Sequence, residues 1–410
     1  MIVKINKSKA NGTISAPPSK SMAHRLIICA ALANGVSVIS NVDFSEDIKA
    51  TIDCVKTLGT KVDIDGSTVT VDGSNTVFNH KESKESLEFM CRESGSTMRF
   101  FMGIAMTLPA ESKFFGSETL RNRPFGVYEE ILKNQNLLFE KKDEYISIKG
   151  AISEKDIVMP GNISSQFVTG MLLALAIMGE GGSVTLTGGV ESKSYINMTL
   201  KAMRDFGVKV DWEGDEKIVV KEGSTFISGD KTVEGDYSNA AFLDAFNVLG
   251  GNVKVEGLDP LSLQGDKVYA DYFKALSEKK ATLDLADCPD LGPVLFAVAA
   301  ANHGGLFTST ARLKIKESDR GSVMCEELAK FGVKSRMSEN EIEIEGNGLN
   351  VPAKILSGHN DHRIVMSLSL LLTLTGGSID EAEAVRKSYP GFFEDIKKLG
   401  VSLEETNGMD

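Results

Sequence analysis

The chain has 410 residues, with 45 Lys and Arg against 57 Asp and Glu, a formal balance of −12. That length suits two domains or three, each large enough for its own core. A hydrophobic share of 42% with 25% charged residues excludes the disordered, collagenous and disulfide-scaffold classes. An acidic chain is unsuited to nucleic acid or an anionic membrane, although a small anion can still find a locally basic pocket.

Read from the N-terminus, Met1-Ile-Val-Lys-Ile is a strand rather than a signal peptide. The sequence then repeats a plan in which an apolar-faced helix ends near Gly and two short alternating strands follow. Copies begin near residues 53, 129, 200 and 324, with two truncated ones near 272 and 392. Six units of about 68 residues fill the 410 positions. The longest apolar runs, such as Met171–Met178 and Val294–Ala301, are eight residues long and fall far short of the ~20 residues that span a bilayer. The five cysteines (Cys29, Cys54, Cys91, Cys288, Cys325) form no CxxC pair, and buried reduced thiols in a cytoplasmic protein are expected.

Between the repeats lie polar Ser/Gly/Asn turns followed by apolar helices: Pro18–Arg25, Glu93–Arg99, Asn162–Gln166 and Asn360–Arg363. Each reads as an N-cap opening a helix, whose free N–H groups and dipole attract anions. Three of these segments also carry an Arg, so the style points to a shared anionic pocket. No P-loop, HExxH or GxSxG occurs, and Gly179-Glu-Gly-Gly leads into a strand. Of the histidines only His359 and His362 are close, and nothing nearby supplies the right third metal ligand.

Nine ordered segments carry the remaining signal: PPSKSMAHR (17–25), ESGSTMRF (93–100), LRNRPFG (120–126), SSQF (164–167), ESKSYI (191–196), DCPDLGP (287–293), LKIKESDR (313–320), NDHR (360–363) and KSYPGFF (387–393). On these the chain resembles the 5-enolpyruvylshikimate-3-phosphate synthase family along almost its whole length. The resemblance implies an α/β fold: a two-lobed inside-out α/β barrel with three βαβαββ repeats per lobe. It implies a discontinuous lobe of residues 1–19 plus 234–410, a second lobe of 20–233, and an active site in the cleft between them.

It also implies the chemistry. The enolpyruvyl group of phosphoenolpyruvate moves to the 5-hydroxyl of shikimate 3-phosphate, with C–O cleavage and release of phosphate. Lys20, Gly95, Arg123, Gln166, Arg320, Arg363 and Lys387 would bind phosphoenolpyruvate. Lys20, Ser21, Arg25, Ser164, Ser165, Gln166, Ser192, Asp290 and Lys316 would bind shikimate 3-phosphate. Asp290, Glu317, Lys20 and Lys387 would be the catalytic groups. The small-molecule substrates are the expected partners, with no cofactor, no metal, no nucleic acid, no membrane and a monomeric state.

The chain departs from the family at residues 93–97, where Glu-Ser-Gly-Ser-Thr stands for Asn-Ala-Gly-Thr-Ala, and Arg312 replaces an Asn whose role is not carried over. Gly95 is kept, and the family's glyphosate inhibition depends on the space that glycine leaves. The alternative reading is UDP-N-acetylglucosamine enolpyruvyl transferase, which typically has Lys-Asn where this chain has Lys20-Ser21.

Overall fold

Among the described residues the helix–turn–hairpin plan appears four times as full hairpins, with Asn136 (φ 56°) in the place of the glycine in one of them. Lys61–Asp65 pairs with Thr68–Asp72, Leu138–Lys141 with Tyr145–Lys149, Val210–Glu213 with Lys217–Val220, and Ser335–Met337 with Glu341–Ile344, all antiparallel. Gly59, Gly207 and Gly332 follow the preceding helices with φ between +82° and +90°, a region that costs glycine little. The computed structural model describes residues 1–78, 86–346 and 348–406 of the chain.

Among the described residues six sheets result, five of four strands and one of two. In each four-stranded sheet one parallel pair is extended by antiparallel strands, as in Asp156–Pro160 beside Gly182–Thr187, the latter continued by Lys217–Val220. The two truncated copies differ in kind. Phe392–Lys398 leads to the single strand Leu403–Thr406, whose antiparallel partner is the N-terminal Ile2–Ile5. Tyr269–Glu278 leads to Ala281–Asp284, a single strand that opens the next sheet beside Gly305–Thr308. The unit before it keeps only the parallel pair Asn11–Ser15 and Asn252–Glu256.

The chain divides into two compact units, Met1–Ser19 with Gly235–Asp410, and Lys20–Glu234. Each has its own hydrophobic core. In both, some helices are apolar all round and are buried on every face, which places them at the centre. Ser165–Met178 belongs to the Lys20–Glu234 unit, while Gly292–Ala301 and His362–Thr375 belong to the other. Strands such as Thr68–Asp72 and Glu111–Phe115 alternate between buried and partly exposed residues, one face on the helices and the other outward. Sheets thus lie outside and helices inside. Among the described residues no helix is long and apolar enough to cross a membrane.

Two glycines set the closest helix contact. A Cβ on Gly103, in the helix Gly95–Ala105, would lie 2.4 Å from the Gly170 backbone, and one on Gly170 would lie 2.1 Å from the Tyr128 hydroxyl. Tyr128 itself donates to the carbonyls of Arg99 (2.8 Å) and Phe167 (3.2 Å). Gly103, in the C-terminal half of its helix, thus packs on the backbone of the Ser165 helix, while Gln166 Nε2 donating to Ser96 Oγ at 2.9 Å joins the two anion-attracting N-terminal turns.

Candidate active site

In the Lys20–Glu234 unit the expected residues gather at helix N-termini. The helix Lys20–Leu32 opens with Lys20, whose Nζ lies 2.8 Å from Asp47 Oδ2, both side chains largely buried. One turn later Arg25 donates to Thr199 Oγ1 (2.8 Å) and to the carbonyls of Ser21 (2.7 Å) and Tyr195 (3.1 Å), with its guanidinium 5.3 Å from the Phe100 ring centre. Burial pulls the Arg25 pKa down to about 10, so it still carries its charge at neutral pH. His24 beside it is held well below its usual range, first by burial and then by Lys20 and Arg25, and stays neutral.

Ser94 caps the Gly95 helix by accepting from the Thr97 amide. A Cβ on Gly95 would fall 2.6 Å from Arg123 Nη1, so this glycine leaves room for a guanidinium at the helix start. The Ser96 hydroxyl accepts from Gln166 Nε2 at 2.9 Å, and Gln166 Oε1 accepts from Arg99 Nη1 at 2.5 Å. Ser164 caps the neighbouring helix, Ser165 is buried in its first turn, and Ser192 sits buried at φ 55° just before the helix Lys193–Asp205. Tyr195 and Thr199 of that last helix are the groups that hold Arg25.

Arg99 lies in the ESGSTMRF segment, but the resemblance assigns it no substrate contact and implies only support of the loop. It stacks on Phe125 and Phe167, at 5.4 and 4.9 Å, and fixes the Gln166 amide. Its position one turn inside a capped helix was the available signal.

In the other unit Asp290, Lys316, Glu317, Arg320 and Arg363 form one ionic network. Asp290 lies in the turn Pro289–Leu291, directly before the buried helix Gly292–Ala301. Its Oδ1 meets Arg320 Nη1 (2.9 Å) and Lys316 Nζ (3.1 Å), while Oδ2 accepts from Arg363 Nη2 at 3.1 Å. Arg320, 1% exposed, also donates to Glu317 and, through Nε at 2.9 Å, to Asp361. Lys387 Nζ donates to the Asn360 carbonyl at 2.5 Å.

Charge follows from this geometry. Burial pushes the Asp290 carboxyl up, but Arg363, Lys316 and Arg320 outweigh it and hold it well below the usual carboxylate range. Burial, with Arg312 and Arg320 nearby, lowers Lys316 despite the Asp290 charge. The buried Asp266 carboxyl is raised to about 6, by burial and then by Asp290.

Two carboxylates that the sequence did not single out complete the two clusters. Asp361, 0% exposed, caps the helix His362–Thr375 and braces Arg320, and Asp47 pairs with Lys20. Asp361 stood inside the NDHR segment, so its motif was a signal; Asp47, in an ordinary helix start, offered none. Among the described residues, Glu326, Glu327 and His359 have ligand atoms within 4.8 Å of one another. The carboxylates come from the helix Arg320–Lys330, remote in sequence from His359. Glu327 Oε1 already takes Lys330 Nζ at 2.7 Å, so an ammonium fills the place a cation would take.

The sequence model of the family described as EPSP synthase (3-phosphoshikimate 1-carboxyvinyltransferase) matches residues 5–396. Among curated relatives, the 3-phosphoshikimate 1-carboxyvinyltransferase of Clostridium beijerinckii is 37% identical over 99% of both chains. That of Clostridium kluyveri is 36% identical over 98% of both. Two solved structures of EPSP synthase from Acinetobacter baumannii superpose with a TM-score of 0.78, at 24% and 23% identity. They cover 98% and 99% of this chain, with 99% and 100% of their own, and at that identity they bear on the fold. With the family model spanning nearly its whole length and relatives this similar end to end, the chain belongs to the EPSP synthase (3-phosphoshikimate 1-carboxyvinyltransferase) family.

Proposed function

We propose that the protein transfers the enolpyruvyl group of phosphoenolpyruvate to the 5-hydroxyl of shikimate 3-phosphate, in the shikimate route to aromatic amino acids. The observation that carries this reading is the Asp290–Arg320–Glu317 arrangement. Two carboxylates share one buried guanidinium, with Arg363 and Lys316 closing on the first. A polyanion needs those cations, and an addition–elimination needs those carboxylates.

In the proposed reaction the 5-hydroxyl oxygen bonds to C2 of phosphoenolpyruvate as Asp290 takes its proton, and C3 gains a proton from a group among Glu317, Lys20 and Lys387. The tetrahedral adduct then loses phosphate by breaking the C2–O bond. C3 returns its proton as the enol ether forms. No phosphoryl group is transferred, so the phosphate-activating machinery of kinases has no role. Lys20, Gly95, Arg123, Gln166, Arg320, Arg363 and Lys387 are assigned to phosphoenolpyruvate. Lys20, Ser21, Arg25, Ser164, Ser165, Gln166, Ser192, Asp290 and Lys316 are assigned to shikimate 3-phosphate.

Asp290 as found is a poor base, because three cations stabilise its charged form. Phosphoenolpyruvate offers a carboxylate and a phosphate to the same guanidiniums, which pair bidentately with either. As Arg320 and Arg363 turn to the substrate, the field on Asp290 weakens and its proton affinity rises. The base is thus strengthened by the binding of the substrate it serves. Five free thiols, four of them buried, suit a reducing cytosol as the place of action.

Phosphate release tests the reading. Mixing the protein with phosphoenolpyruvate and shikimate 3-phosphate should liberate phosphate, and either substrate alone should not. Release with UDP-N-acetylglucosamine as acceptor instead would overturn it.

A further inference from the structure

Glu327 lies seven residues after Arg320 on the same helix, so the two side chains share a face. It is fully buried, and its oxygens divide their work. Oε2 accepts from the Ser357 amide at 3.1 Å, and Oε1 bonds His359 Nε2 at 3.0 Å and Lys330 Nζ at 2.7 Å. The same turn is tied by Ser357 Oγ, which accepts from the His359 amide at 3.1 Å and donates to Glu381 at 2.7 Å.

These bonds close on a strained stretch of backbone. His359 and Asn360 are consecutive non-glycine residues in the left-handed region, both at φ 49°, a conformation that persists only when its surroundings impose it. The residues the strained pair leads into matter. The Asn360 carbonyl receives Lys387 Nζ, and Asp361 braces Arg320 and accepts from the Arg363 amide.

We propose that Glu327 and His359 are positioning residues that hold the Ser357–Asp361 turn, and through it set Arg320 and Lys387 for phosphoenolpyruvate. The assignment of that substrate rests on the function proposed above. Glu327 ties the turn to the very helix that Arg320 begins, so a loss of the tie moves Lys387 and Asp361 relative to Arg320 without touching any substrate group.

The test compares His359→Phe, His359→Gln and Glu327→Gln with wild type by steady-state kinetics and by amide hydrogen exchange over residues 356–363. For His359→Phe the KM for phosphoenolpyruvate should rise about tenfold, the scale of one lost charge-assisted hydrogen bond. The KM for shikimate 3-phosphate and kcat should change much less. His359→Gln, which can still donate to Glu327, should recover most of the loss, and Glu327→Gln should resemble His359→Phe. Exchange in the segment should accelerate in the impaired variants, a readout independent of which substrates the protein uses. Kinetics and exchange identical to wild type in His359→Phe would overturn the proposal. An equal loss in Glu326→Gln would also overturn it, by pointing to a cation held by all three groups. If His359→Phe fails to fold, Glu327→Gln decides on the same two readouts. Wild type that shows the exchange pattern but no turnover with these substrates would refute the functional reading and leave the tie standing.

Discussion

The two cationic clusters keep their charge by different means. In the Lys20–Glu234 unit, Arg25 and Arg99 rest on aromatic faces and donate to carbonyls, a hydroxyl and an amide. In the other unit, Arg320 and Arg363 are bound to carboxylates, with Asp290 taking both. Neutral acceptors fix a guanidinium in place and leave its charge for an incoming anion. Carboxylates fix it just as well, but the incoming anion must compete with them. In the reading proposed above, the arginines of the first cluster are preorganised for an anion, although Lys20 there pairs with Asp47, and those of the second are loaded with an internal anion, Asp290, that would double as the base.

Removing that internal anion should give the largest effect. Asp290→Asn should cut kcat by roughly 10²-fold or more, the range for lost base catalysis. By calorimetry, phosphoenolpyruvate should bind the variant more tightly than wild type, because Arg320 and Arg363 each lose one competing carboxylate, Arg320 keeping Glu317 and Asp361. Weaker binding in the variant would break the distinction between the clusters. Glu317→Gln should lower kcat to a similar extent, measured in the same assay.

On the other side, Gly95→Ala places a methyl 2.6 Å from Arg123 Nη1. The guanidinium must move, and the KM for phosphoenolpyruvate should rise by about tenfold, the scale of a weakened charge-assisted contact, with less change in kcat. A KM within twofold of wild type would show that Arg123 does not serve from that position. Arg99→Lys should have a smaller effect. It gives up the stacking on Phe125 and Phe167, costing about 1–2 kcal/mol of stability by denaturant titration, because lysine cannot reproduce the planar contact.

The smallest effect concerns Asp266. Its carboxyl is raised to about 6 in the fold, so the native state holds the proton more tightly than the unfolded chain does. Asp266 therefore costs stability increasingly as the pH rises from the ordinary aspartate range, the cost is complete above about 6, and it is relieved as the pH falls back. Asp266→Asn should raise the Tm at pH 8 and make little difference at pH 4. A uniform shift at both would remove the electrostatic explanation.

Much of this was legible before the structure. The helix starts at Ser94, Ser164 and Asp361 are caps because local hydrogen bonds fix them, and sequence carries such information directly. The hairpins follow from period-two alternation after a glycine. The partners were not legible. Asp47 meets Lys20, and Glu327 meets His359, only because tertiary packing brings distant segments together. The two-stranded sheet of Asn11–Ser15 and Asn252–Glu256 escaped for the same reason, since its strands lie far apart in the chain. The close approach at Gly103 and Gly170 likewise depends on a contact between helices, which neither glycine announces by itself.

The central claim is that the C–O bond of phosphoenolpyruvate breaks as its enolpyruvyl group moves to shikimate 3-phosphate. Phosphoenolpyruvate labelled with heavy oxygen in the bridge between C2 and phosphorus tests this most directly, by mass spectrometry of the products. The account predicts that all of the label leaves in the inorganic phosphate and that the acceptor gains an enolpyruvyl group. Label retained in pyruvate, or an acceptor recovered unchanged, would contradict it.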